Sequence, residues 1–254
     1  MFDPAKESTH VLSRKNPYGN SFDLLGVRFD CKLVMSETVH SLAGQCKWKL
    51  RAILRTQKFN TGMELVTLYK AQLLSFIEYR TPAIYHACAS ALLELDRIQD
   101  RLMNAAGFNE AEVLRVCRLA PLTARRDMAM LGLIHRTVLG KGPCHFRAFF
   151  KPDIHKRQAG SGRHRLQLCD YGVHESDLQF PGSRPADYLQ NSALGLVQVY
   201  NLLPAGIVEN SSSVSSFQSA LQGVLMARAT AGCTDWKFTF SPRVPMHRHP
   251  LRIL

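Results

Sequence analysis

The residues in this chain best placed to do chemistry are cations. Lys47, Lys49, Arg51, Arg55 and Lys58 fall within twelve positions of one another, in a chain with 32 Lys+Arg against 20 Asp+Glu and a formal charge of +12. At helical spacing Lys47, Arg51, Arg55 and Lys58 share one face, so several phosphates of one backbone could be met together. A large basic excess favours a polyanionic partner, because each neutralised phosphate releases condensed counterions. Charge runs are also common on solvated helix faces, and basic residues near a helix C-terminus complement its dipole. Trp48, beside this set, can stack on a base or pack inward, and packing is the expectation.

Other chemistry finds less support. The chain has no Gly-x-Ser-x-Gly, no phosphate-cradling glycine loop and no acidic cluster at ligand spacing. His145, His155, His164 and Cys169 invite a zinc reading, but their spacing is irregular and no Cys-x-x-Cys occurs. Seven scattered cysteines do not form a disulfide framework, which points to a reducing, intracellular compartment. No stretch reaches the roughly 20 apolar residues of a membrane span, so no membrane partner is expected.

These cations must be held by helices. Ser36 is placed to cap a helix whose apolar residues Val39, Leu42, Cys46, Leu50 and Ile53 recur at helical spacing. Thr61-Gly62-Met63-Glu64 has capping-box form and opens a second, which Pro82 should break. A third runs from about Ser90 to a stop at Gly107. Asn109 to Glu112 forms another capping box, and Pro121-Leu122-Thr123 begins a helix ending at Gly140. Helix is expected again around Tyr188 to Val199, a turn at Tyr200 to Pro204, and a serine-capped helix carrying Phe217, Leu221, Val224 and Leu225.

Before the helices, Phe22 and Leu24 alternate up to Gly26, and Val27 and Phe29 alternate after it with a slip of one step. This predicts two short strands joined at a bulge or tight bend, where a residue without Cβ lets another backbone come close. The expected fold is mainly α, with a short N-terminal β-hairpin, a helical bundle and a looser basic C-terminal region. The expected divisions are 1–35, a helical domain 36–140, a basic linker 141–185, a small helical region 186–241 and a mobile tail 242–254.

In order, these pieces resemble the C-terminal part of a non-LTR (LINE-type) retrotransposon reverse transcriptase. Phe2-Asp3-Pro4-Ala5-Lys6 is similar to the segment after the catalytic aspartates of the palm. Phe22 to Val27, with Leu25-Gly26, is similar to the primer-grip hairpin. Leu68-Tyr69-Lys70 to Ile77-Glu78-Tyr79, then Leu95-Asp96-Arg97-Ile98-Gln99, then Pro121-Leu122 with Arg125-Arg126, resemble the helical thumb and the region C-terminal to it. Tyr200-Asn201-Leu202-Leu203-Pro204 with Phe217-Gln218 and Leu221 resembles the family's closing motif.

The resemblance implies a region that binds RNA, DNA or an RNA:DNA hybrid. Within it, Lys6 would lie near the incoming nucleotide, Leu25 and Gly26 would approach the primer, and Lys47, Lys49, Arg51, Arg55 and Lys58 would meet the template-primer backbone. It implies Mg²⁺ for a complete enzyme, held by paired aspartates. No Asp-Asp pair occurs here, so the expectation is a truncated copy without its fingers and most of its palm, with no cofactor and no polymerase activity alone. The alternative is a non-catalytic helical structural or interaction protein from a decayed element.

Overall fold

The computed structural model describes residues 21–30, 32–143, 150–152, 166–168 and 191–252. The chain is mainly helical with a two-stranded hairpin at the start of the described part, as expected.

β1 (Ser21–Leu24) and β2 (Val27–Asp30) pair antiparallel, with Phe22 opposite Phe29 and Leu24 opposite Val27. That leaves Leu25 and Gly26 as a two-residue loop, with φ of 50° and 73°. Positive φ at both central positions is the primed turn whose twist matches paired strands. The slip of one step at the glycine therefore has a reason. Opposed residues of an antiparallel pair share a face, so Phe22, Leu24, Val27 and Phe29 all project from one side. Phe22 and Phe29 stack with ring centroids 5.4 Å apart, and Val27 is buried against the helices.

Asp30 makes the connection to the first helix. Its carboxylate accepts from the backbone N–H groups of Lys32, Val34 and Met35 at 3.0, 3.0 and 2.6 Å. These bonds hold a tight entry in which Leu33 and Met35 adopt left-handed φ. Ser36 is consequently not the cap. It is the first residue of α1 (Ser36–Arg55), and the capping position belongs to Met35, which makes no side-chain cap bond.

The capping boxes read from sequence at Thr61 and Asn109 form as expected, opening α2 (Gly62–Tyr69) and, further on, α6 (Glu110–Cys117). After α2 the helix widens into a π turn at Lys70–Leu74 and continues as α3 (Ser75–Glu78). The break at Pro82 falls as predicted. Pro82 lies in the first turn of α4 (Thr81–Ile84), where its missing N–H has no helical partner to lose. α5 (Ala89–Ala106) stops at Gly107, whose φ of 77° supplies the left-handed C-cap.

Val39, Leu42, Ala43, Cys46, Leu50 and Ile53 of α1 face Leu92, Leu95, Ile98 and Leu102 of α5 in a first core, closed by α2 and the π turn. α7 (Leu122–Val138) gives Leu122 to this core, but Met128, Met130, Leu131 and Ile134 go to a second. That second core is completed by α8 (Leu196–Leu202), α9 (Ala205–Glu209), α10 (Val214–Thr230) and the residues after them. By packing, α7 therefore belongs with the C-terminal region rather than with the 36–140 unit in which the sequence grouped it. At the junction His135 is fully buried and stacks on Phe217 at 4.1 Å. Its Nε2–H donates to the Ser211 carbonyl, leaving Nδ1 to the Tyr200 hydroxyl, both at 2.9 Å.

Two expectations fail in this half. Tyr200, Asn201 and Leu202 are the end of α8 rather than a turn; the chain turns at Leu203-Pro204. The tail expected to be mobile from Pro242 is packed as far as Leu251. His249, Pro250 and Leu251 are buried, and Arg243 donates to the carbonyls of Tyr85 and Ala87 at 3.4 and 3.1 Å. Between the halves, β3 (Phe150–Pro152) and β4 (Leu166–Leu168) pair antiparallel; the rest of 144–190 lies outside the described residues. No described helix is long and apolar enough to cross a membrane.

Candidate nucleic-acid interface

The apolar stripe of α1 fixes where its cations can go. With about 100° per residue, Lys47, Arg51 and Arg55 fall within roughly 80° of one another on the side away from the core. All three are exposed. Lys47 borders a cleft of about 350 Å³ between α1 and α5, lined also by Leu50, Glu94, Arg97, Ile98 and Arg101. Glu94 lies 3.9 Å from Lys47 and 2.8 Å from Nδ1 of His40. Three cations and one carboxylate leave the cleft positive.

Neither Arg97, which the sequence offers only within a thumb-like motif, nor Arg101 is among the predicted binding residues. Their signal was present, since they recur at i and i+4 beside the Leu95, Ile98 and Leu102 stripe of α5, as Lys47 and Arg51 do on α1.

The remaining predicted residues do not join this face. Lys49 lies about 200° round the helix from Lys47 and sits over the Phe76 ring at 4.8 Å, a ring that the Arg80 guanidinium also covers at 4.0 Å. Lys58 is off the α1 face altogether. The helix ends at Arg55, where the Thr56 hydroxyl donates to the Ile53 carbonyl, and Lys58 falls in the 3₁₀ turn Gln57–Phe59. Leu25 and Gly26 sit near a third region. The hollow under their hairpin is lined by Thr38, Ser41, Gln45 and Arg80, so the hairpin rests on the Lys49 side of α1. The turn's carbonyls bond within the chain, Leu25 to the Tyr79 hydroxyl and Gly26 to Arg80. The Leu25 side chain is 79% exposed. Lys6 and the candidate zinc set His145, His155, His164 and Cys169 lie outside the described residues.

Trp48 departs from the expectation of packing. It is 71% exposed, on the same side of α1 as Arg51 and Arg55.

A second feature lies behind α5. A cavity of about 530 Å³ is lined by Leu92, Leu93, Phe238, Val244, Asp96, Arg126, Asp127 and Arg243, among others. Arg126 grips Asp96 with both terminal nitrogens, at 2.8 and 3.0 Å, a planar fork-to-fork pairing. The Tyr85 hydroxyl donates to one Asp127 oxygen at 2.6 Å, while the other is buried without a partner among the described residues. Burial pushes the Asp127 carboxyl up to about 7, opposed by the Tyr85 hydrogen bond and by the charges of Arg126 and Arg243. Pairing within the chain accounts for the arginines, so the cavity is a packing network with one unsatisfied oxygen rather than a phosphate site.

The two-Mg²⁺ chemistry of a polymerase requires clustered carboxylates. Among the described residues no group of three or more His, Cys, Asp or Glu side chains is placed to hold a metal ion. Compared with known proteins, the chain matches no family model, no curated protein and no solved structure.

Proposed function

We propose that this chain is the helical, nucleic-acid-binding portion of a LINE-type retroelement reverse transcriptase, acting on the sugar-phosphate backbone and without polymerase chemistry of its own. The observation that carries the reading is the positive α1–α5 face, with Lys47, Arg51 and Arg55 on one helix and Arg97 and Arg101 across the cleft on the other. Support also comes from the order of the sequence motifs and from the +12 charge. Such a face binds through phosphates and is indifferent to base sequence.

Anisotropy of a labelled RNA:DNA hybrid tests it. Reversing charge across the cleft, in Arg97→Glu with Arg101→Glu, is expected to weaken binding at least tenfold while leaving the helical circular dichroism unchanged. Undiminished binding would return the chain to the reading of a structural or interaction protein. Primer extension with Mg²⁺ is expected to give no templated product, and synthesis above a no-enzyme control would overturn the second half of the proposal.

A further inference from the structure

Gly44 lies in the middle of α1, exposed, and a Cβ added there would meet nothing within 4 Å. Glycine inside a helix is destabilising relative to alanine, and no neighbour among the described residues requires it. Trp48 lies four residues later, 71% exposed, although a large aromatic in water gives up the burial that usually stabilises it. Arg51 and Arg55 come next, three and seven residues beyond Trp48. By helical geometry all four lie within about 60° of one another. Nothing lies within 4 Å of the place a Gly44 Cβ would take, so the Trp48 ring leaves that stretch of backbone uncovered. The strip therefore offers a bare stretch of helix backbone, an aromatic ring free on its outer side, and two guanidinium groups one turn apart.

We infer that this strip binds single-stranded nucleic acid, with a base stacked on Trp48, its backbone passing over Gly44, and neighbouring phosphates on Arg51 and Arg55. The inference rests on the nucleic-acid reading above and adds the strand form. A duplex keeps its bases stacked inside and presents only phosphates and base edges, so it can use the arginines but not the indole. A single strand can use both, and the pairing of stacking platforms with a basic track is how such strands are held without sequence preference.

The chain contains two tryptophans, and Trp236 is only 7% exposed, so quenching of emission by a stacked base reports on Trp48. The experiment titrates the full chain with a 12-nucleotide oligo(U) and, separately, with an RNA:DNA hybrid of equal length. Oligo(U) is expected to quench the emission, and Trp48→Ala is expected to weaken its binding about tenfold while changing hybrid binding little. Trp48→Phe should retain most of the affinity. Gly44→Ala should raise the melting temperature yet weaken oligo(U) binding several-fold, a combination that a purely structural glycine would not give. Oligo(U) that binds without quenching, or equally well to Trp48→Ala and Gly44→Ala, would overturn the stacking inference and leave the phosphate reading standing. Absence of binding to both ligands would overturn both.

Discussion

The Tyr79 hydroxyl donates to the Leu25 carbonyl at 2.9 Å, fastening the hairpin turn to the end of α3 across 54 positions of sequence. The bond is available because Leu25 holds φ of 50°, a left-handed conformation that costs a residue with a branched side chain roughly 1–2 kcal/mol. Asparagine enters that region more easily and keeps the carbonyl. Leu25→Asn is therefore expected to stabilise the chain by about 1 kcal/mol in urea unfolding. A loss of stability would mean that the exposed leucine side chain makes a contact worth more than the strain.

The buried carboxyl of Asp127 gives stability a defined dependence on pH. Its folded value, about 7, stands above the ordinary 3.8, so the folded chain holds the proton more tightly than the unfolded one. The resulting stabilisation is fully present below about pH 4 and is lost as pH rises through about 7. Asp127→Asn can still accept from Tyr85 but does not ionise. It should flatten the stability profile between pH 4 and 7 and be more stable than the parent at pH 8, by up to roughly 4 kcal/mol. Coincident pH profiles for the two proteins would contradict this.

Two ion pairs on α5 should behave differently. Arg126 and Asp96 are paired through two hydrogen bonds with Arg126 buried, so Asp96→Ala strands a buried charge and should cost roughly 3 kcal/mol. Lys47 and Glu94 meet at 3.9 Å on an open surface, and Lys47→Ala should cost less than about 1 kcal/mol. Guanidinium unfolding of the two variants measures both. Comparable losses would mean that burial does not separate the pairs.

What could be read from the sequence were the local signals. The capping boxes at Thr61 and Asn109, the stop at Gly107 and the break before Pro82 each depend on residues within four positions of the event, and each falls where expected. Two local readings fail, the cap at Ser36 and the turn at Tyr200, and the larger errors lie where distant chain decides. Pro242 to Arg252 has the composition of a loose tail, yet it packs because Leu251 completes the second core and Arg243 reaches carbonyls more than 150 positions away. The candidate face was legible in part for the same reason. The α1 stripe placed Lys47, Arg51 and Arg55 correctly on one face, but the end of the helix at Arg55 removed Lys58, and the Phe76 ring on the far side took Lys49. That Arg97 and Arg101 stand across a cleft from Lys47 depends on how α1 and α5 pack, which neither helix encodes alone.

If the α1–α5 face holds nucleic acid through phosphates, affinity depends on salt with a slope set by the number of phosphates neutralised. For an RNA:DNA hybrid, affinity should fall steeply between about 50 and 200 mM salt. Replacing Lys47, Arg51 and Arg55 together with Ala should weaken binding and reduce the log–log slope by roughly 2 to 3, about one for each phosphate that is no longer neutralised. A shallow slope in the parent, or an unchanged slope in the triple variant, would mean that these three side chains do not hold phosphates.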